Sequence, residues 1–280
     1  MEKVVVLDFD GTITDAEMEG IPFVLGFYED LALLNNQKIT DILKLMKQFE
    51  NMVISNPDEY GWEVAGKIVA PAVVDPYLRT RPVATMFLEK MGMEKRFILP
   101  LLDLLFYYNY PKTDIVFKQD AAKILQAIKP YNVYIVTNAK TEPIMKKIDA
   151  LIAENFGKAD LLWLKDRLIG LAKKYVIDDD FPEVPETLSI PNLRRKIYLR
   201  RYEYFKVLNM LRERHQVNWE DMYVVGDIFE LDLCLPDALG AKVGLVANEY
   251  TPAYEKDFVA RQKNGRVFTG LLQILDFIQE

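Results

Sequence analysis

Cysteine and histidine are almost missing. Cys234 and His215 are the only ones in 280 residues. One cysteine permits no internal disulfide, so the chain fits a reducing compartment. Zinc centres built from Cys and His, and triads built on His, lack their ligands and bases. A metal here must be held by oxygen atoms, which suits Mg2+. Long apolar runs are also absent, and none is long enough to span a bilayer. The first apolar segment starts almost at Met1, so no secretory leader is expected and the location reads as cytoplasmic. No Gly-x-Gly-x-x-Gly dinucleotide fingerprint occurs. The net charge of −7 argues against general nucleic-acid binding, which needs a basic footprint, but leaves room for a local basic site facing an anion. His215 reads as a surface residue at a helix end and Cys234 as a small packed apolar residue.

The chain is 50% apolar, ample for a buried core, and has no disorder signature. Its most informative segment is Val4-Val5-Val6-Leu7-Asp8-Phe9-Asp10-Gly11-Thr12. A short apolar run reads as a buried strand. It ends in two carboxylates, with a glycine for a sharp exit and a threonine hydroxyl. Acids at the carboxyl end of a parallel strand stand where open α/β sheets bind ligands. One can attack and the other can move protons. An Asp-Gly hairpin with solvated acids is the bland alternative, and the full string behind four apolar residues disfavours it.

Residues 16–110 then show apolar residues at helical spacing, broken near Asn56-Pro57, Pro71, Pro76, Pro82 and Pro111, with no strand-like alternation. After that the α/β pattern resumes. Helices are expected over 119–128, 142–155, 193–214, 232–239 and 269–278. Strands are expected over 133–136, 222–225 and 241–246, with weaker ones at 161–164 and 175–177. Residues 178–192, rich in Pro and acids, read as a surface run. The second main strand ends at Thr137-Asn138, and the third at Gly226-Asp227 with Asp232 five residues on.

The first motif resembles the signature of the haloacid dehalogenase (HAD) superfamily. Thr137 matches its second motif, and Gly226-Asp227 with Asp232 its acidic fourth. The resemblance implies a Rossmann-like three-layer α/β core with a parallel sheet, formed by 1–15 and 112–280. It also implies an inserted helical C1-type cap domain over 16–111. Asp8 would be the nucleophile and Asp10 the general acid/base. Thr137, Asn138, Gly11 and Thr12 would surround the phosphate. Asp8, Asp10 (through its backbone carbonyl), Asp227 and Asp232 would hold Mg2+. Asp at both positions of the first motif favours phosphoryl transfer over dehalogenation. The expected activity is a Mg2+-dependent phosphatase acting on a small phosphorylated metabolite, without nucleic-acid or membrane partners. A sugar phosphomutase and a non-catalytic scaffold on the same fold are the rivals.

The family's third motif, a Lys or Arg beside the nucleophile, has no obvious match. It is expected at the start of the helix before the fourth-motif strand, where Arg194, Arg195, Lys196, Arg200, Arg201 and Lys206 cluster. Arg201 is preferred by its distance from Asp227, then Arg200. Glu230 competes with Asp232, which is the better spaced ligand. Gly61 to Ile68 nearly spells a P-loop but ends in Ile68, not Ser or Thr, and follows no apolar strand. Phe106, Tyr107, Tyr108 and Tyr110 read as core of the inserted domain. Arg79 and Arg81 read as surface residues. Glu17 and Glu19 stand where the chain leaves the first motif, a place for a hinge.

Overall fold

The computed structural model describes residues 2–280. The chain divides into two compact units. One runs to Asp15 and resumes over Phe117–Glu280, and the other is Ala16–Val116.

The first unit begins with β1 (Val4–Leu7). The inserted unit follows. It contains α1 (Ala16–Leu34), α2 (Ile39–Ser55), the hairpin strands β2 (Gly61–Val64) and β3 (Lys67–Pro71), α3 (Pro76–Lys90) and α4 (Lys95–Asn109). Its core joins Phe23, Phe27 and Leu31 of α1 to Ile42 and Met46, Val83 and Phe87, and Ile98 and Leu102. Asp75 caps α3 by accepting from the Tyr77 and Leu78 amides, with Pro76 at the first helical position.

The hairpin corrects the expectation of an all-helical insertion. Ala65 (φ 50°) and Gly66 (φ 77°) both take the left-handed conformation that a tight two-residue hairpin turn requires. Lys67 therefore opens a strand and not a helix, which disposes of the P-loop likeness. Arg79 is also not a surface residue. It is buried, donates to both oxygens of Glu17 and to Glu50, and caps the Val73 carbonyl. Arg81 does lie outside, paired with Asp103. Glu19 is buried and accepts from the Val116 amide. Of the four aromatics expected in this core, Phe106 packs there on Phe23, whereas Tyr107 and Tyr108 are largely exposed and Tyr110 half so.

The first unit then continues in α/β alternation through α5 (Ala121–Ile128), β4 (Asn132–Val136), α6 (Thr141–Glu154) and β5 (Leu168–Ile169). An excursion with a two-strand ladder, β6 (Thr187–Leu188) and β7 (Ile197–Tyr198), leads to α7 (Tyr202–His215). After it come β8 (Met222–Gly226), a π-helical turn (Phe229–Leu233) and α8 (Cys234–Ala238). The chain closes with β9 (Lys242–Val246), α9 (Ala253–Arg261), β10 (Gly265–Phe268) and α10 (Gln273–Gln279). The six main strands form one sheet in the order β10-β9-β8-β1-β4-β5, every pairing parallel.

Both faces of this sheet are covered, so its central strands β1 and β8 are buried along their whole length rather than alternating. Val4, Val6, Val224 and Leu245 meet Tyr204, Leu208 and Leu211 of α7 on one face. Val5, Leu7, Ile135 and Val225 meet α5, α6 and α10 on the other. Strand order reverses at β1, with β4 on one side and β8 on the other. A crevice at the carboxyl ends of the strands is expected there.

The long helix expected over 193–214 begins only at Tyr202. Residues 193–201 are not helical: they bend at Arg194-Arg195 and form the short strand β7, because Ile197 and Leu199 are drawn into the core and β7 pairs with β6. The run 178–192 is likewise no mere surface segment, for Phe181, Val184 and Ile190 are buried. Residues 161–164 fall at the start of a 3-10 turn rather than in a strand, and 175–177 are irregular. Cys234 is fully buried and burial pushes its thiol up to about 11, so it stays a packed thiol. His215 ends α7 but is half-buried, bonded to the Tyr134 hydroxyl at 2.9 Å and to Glu2 at 3.2 Å.

Candidate active site

β1 carries Asp8 just past its end, where the Asp8 amide still donates to the Val225 carbonyl of β8 at 2.9 Å. The chain then turns tightly, with the Ile13 and Thr14 amides both donating to the Phe9 carbonyl. Gly11 sits at φ 78°, a left-handed conformation, with the Asp227 carboxylate where its side chain would be. Only glycine meets both conditions. The turn brings the Thr12 hydroxyl to 2.9 Å from Asp227 Oδ1.

β8 delivers Asp227 from the neighbouring strand end, and the π-helical turn after it folds Asp232 back. Asp232 Oδ2 accepts from the Ile228 amide at 3.1 Å. Asp8, Asp227 and Asp232 thereby converge, each offering a carboxylate oxygen within 4.8 Å of the others, all three buried. Glu230 is excluded from this group. Both its oxygens are taken by Arg195, at 2.8 and 2.5 Å, and one also accepts from the Tyr254 hydroxyl.

The cation against Asp8 is Lys174, a residue outside the basic cluster from which the third-motif cation was expected. Its Nζ stands 2.7 Å from Asp8 Oδ1 and 2.8 Å from Asp232 Oδ1, with 1% of the side chain exposed. Arg201 is also buried, but its guanidinium donates to the carbonyls of Lys174 and Tyr198. It braces the lysine from behind. Arg200 likewise serves the carbonyls of Val184 and Asp179. The expectation failed because the cation does not open the helix before β8. It lies just beyond β5, and the excursion 175–201 separates it from α7. The signal available in the sequence was Lys173-Lys174 shortly after the short apolar pair Leu168-Ile169.

The loop carrying Lys174 is stitched to the end of β4. The Ala172 amide donates to the Thr137 carbonyl at 3.0 Å and the Leu171 amide to the Ala139 carbonyl at 2.8 Å. Asn138 Oδ1 accepts from the Lys174 amide at 2.7 Å. Asn138 thus positions the lysine backbone, a use distinct from the phosphate contact expected of it. Leu171 (φ 55°) and Lys173 (φ 49°) are both left-handed, a strain the surrounding bonds hold in place. Thr137 is buried, and its hydroxyl oxygen accepts from the Ala139 amide at 3.1 Å, leaving its proton to donate.

Asp10 does not join the buried cluster through its side chain. Its carboxylate turns to Lys147 of α6, Nζ to Oδ1 2.7 Å, and is 37% exposed.

The electrostatics follow from burial. Removal from water raises Asp8 well above the ordinary carboxyl value of 3.8, with Lys174 opposing and Asp232 and Asp227 adding to the rise. Burial works against a charge on Lys174, but Asp232 and Asp8 outweigh it and hold the ammonium above its ordinary value. Three carboxylates against Lys174 and the Lys118 ammonium, which rests on the Gly11 carbonyl and attracts Asp227 and Asp8, still leave an excess of negative charge, which a proton or a cation can neutralise. An all-oxygen, buried, acidic set fits a hard divalent ion such as Mg2+.

A pH-dependent result follows. A carboxyl raised in the folded state makes the metal-free protein lose stability as pH climbs from near 3.8 through the raised value. A bound cation needs the carboxylate ionised, so its affinity grows over the same range. Mg2+ should therefore raise the melting temperature more at pH 7.5 than at pH 5.5. At a metal concentration a hundredfold above Kd the gain is about 2.7 kcal/mol. Melting curves with Mg2+ and with EDTA at both pH values check this, and an equal gain at both would contradict it.

No protein-family model matches the sequence, and no curated protein matches it. Solved structures do resemble it. A HAD-hydrolase of Bacillus subtilis solved with magnesium bound superposes with a TM-score of 0.54 at 14% identity, covering 100% of this chain and 99% of that one. A predicted phosphoglycolate phosphatase from Haemophilus somnus gives 0.52 at 16% identity, and a haloacid dehalogenase-like protein from Agrobacterium tumefaciens 0.52 at 12%. Each of these two alignments covers 100% of this chain and 98% of the other. At such identities the likeness establishes the fold. The chain has the HAD fold: a parallel α/β core whose chain is interrupted after its first strand by a mainly helical unit.

Proposed function

We propose that this protein is a phosphatase that hydrolyses a small phosphate monoester through an aspartyl-phosphate on Asp8. The observation that carries the reading is the buried meeting of Asp8, Asp227 and Asp232, with Lys174 bridging Asp8 and Asp232, at the strand-order reversal of a HAD-fold sheet.

A phosphate monoester is a dianion that repels nucleophiles, so the site must supply positive charge and aligned donors. Lys174 supplies the fixed charge beside the nucleophile. Asp8 attacks phosphorus, forming an Asp8 O–P bond while the bond from phosphorus to the leaving oxygen breaks. Asp10 gives that oxygen its proton, and the alcohol departs. Asp10, now a carboxylate, takes a proton from water as the water oxygen attacks phosphorus. The Asp8 O–P bond breaks, and inorganic phosphate and free Asp8 result. The Thr137 hydroxyl and the Thr12 amide are the donors for the phosphoryl oxygens, while the Thr12 hydroxyl donates to Asp227 and the Gly11 amide to the Thr14 hydroxyl oxygen. Asp8, Asp227, Asp232 and the Asp10 carbonyl are the groups that would hold Mg2+, which when bound neutralises phosphoryl charge and keeps Asp8 ionised. Having Asp at both positions of the first motif, Asp8 and Asp10, favours this chemistry over dehalogenation.

The helical unit enters the chain directly after the Asp8 loop, which supports a role as a cap that selects the substrate and excludes water. A small soluble metabolite suits a capped site better than a phosphoprotein.

The test is phosphate release from a panel of small monoesters with Mg2+ and with EDTA. Metal-dependent release is expected. Isomerisation of a sugar phosphate without net release would instead identify a mutase. No turnover and no metal binding would identify a non-catalytic protein.

A further inference from the structure

Lys147 belongs to none of the motifs above. It lies in α6, and Ile144, Ile148 and Leu151 of that helix are buried against the sheet. Helix side chains tilt toward the helix N-terminus, which in a parallel α/β unit lies at the carboxyl ends of the strands. Lys147 therefore reaches back up toward the site. Its side chain is only 15% exposed and its Nζ ends 2.7 Å from Asp10 Oδ1. It is the one hydrogen-bond partner of the Asp10 carboxylate among the described residues.

An ordinary surface ion pair contributes little, because ordering two flexible side chains offsets the weak attraction. This pair differs in what it ties together. It fixes a loop residue, held in place otherwise only by its backbone, to a rigid helix packed on the sheet. A group that must deliver a proton to one oxygen and later take one from water needs such fixing, since small misplacements are costly in rate. We infer that Lys147 is a positioning residue that holds the Asp10 carboxyl in line for proton transfer. It acts through Asp10 and does not bind the phosphoryl group. The inference rests on the phosphatase reading and on Asp10 as its acid/base.

A series of substituted phenyl phosphates, from 4-nitrophenyl to 4-methoxyphenyl, separates this role from others. The 4-nitrophenolate leaves with little help from a proton, and the 4-methoxyphenolate needs more. General acid catalysis is worth about 10²–10⁴-fold where it is needed. Lys147→Met should lower kcat/KM about tenfold for 4-methoxyphenyl phosphate and less than about threefold for 4-nitrophenyl phosphate, with little change in KM. Lys147→Arg should recover most of the loss. In an Asp10→Asn background Lys147→Met should add nothing further, as expected for residues acting as one unit.

A parallel loss across the series, a rise in KM alone, or an undiminished effect in the Asp10→Asn background would overturn the inference and leave the phosphatase reading standing. So would full activity of Lys147→Met with every ester. Wild-type protein that turns over no ester at all, with Mg2+ present, overturns the phosphatase reading and this inference with it. Melting temperatures of all variants identify any that fail to fold.

Discussion

On the proposed phosphatase mechanism, Asp8→Asn should reduce phosphate release by at least about 10⁴-fold, because removal of a covalent nucleophile leaves only the binding and electrostatic part of catalysis. The change is nearly isosteric, so the packing of β1 against β8 should survive. Its effect on stability should run opposite to its effect on rate. Asp8 is one of three buried carboxylates that repel one another, and Lys174 keeps Asp232 at 2.8 Å when Asp8 is neutralised. Metal-free Asp8→Asn protein at pH 7.5 is therefore expected to melt no lower than wild type. The Mg2+-induced gain should shrink, since one of the oxygens proposed to hold the ion loses its charge. Phosphate assays and melting curves on the same preparations test both halves. Turnover that survives Asp8→Asn would mean a different nucleophile or a contaminant.

Lys174→Met should be damaging on both counts. It removes the charge beside the nucleophile, and loss of one preorganised donor typically costs about 10²–10³-fold in rate. It also leaves three buried carboxylates without the ammonium that bridges two of them. Breaking a buried ion pair from one side costs about 3–5 kcal/mol, part of which protonation of Asp8 relieves. Metal-free Lys174→Met should thus melt below wild type, and by more as pH rises from 5.5 to 7.5. Mg2+ should recover part of the stability but not the rate. Lys174→Arg should not restore activity, because a side chain 1% exposed between Asp8, Asp232 and the Tyr204 ring has no space for a planar guanidinium. Arg201→Met should be the milder lesion, since Arg201 supports Lys174 only through its backbone carbonyl. Wild-type rates from Lys174→Met would remove the lysine from the mechanism.

Much of this protein was legible in order along the chain. Apolar runs bounded by polar strand ends located β1, β4, β8 and β9, because strands buried on both faces leave a continuous hydrophobic signal. Asp8, Asp227 and Asp232 were readable for the same reason: each follows such a run directly, or within one turn. Elements with weaker local signals were not. The β2–β3 hairpin turns at Ala65-Gly66, whose left-handed pair is unusual for alanine. The edge strand β10 and the short helix α9 have little periodicity of their own, and pairing with β9 and packing on the sheet hold them.

The sequence alone determined which acids stand at which strand ends, and it limited any metal site to oxygen ligands. Only the tertiary structure decided which cation they meet. Six basic residues between 194 and 206 made that stretch look like the source. Core packing of Ile197 and Leu199 instead keeps 193–201 out of the helix and sends Arg195 to Glu230 and Arg201 to two carbonyls. Lys174 reaches Asp8 from 166 residues away because its loop is pinned to the end of β4. Lys147 meets Asp10 across 137 residues by the same logic. Strand ends are local facts of patterning. A partner for a buried charge is selected by desolvation, which acts on whatever the folded chain brings within reach.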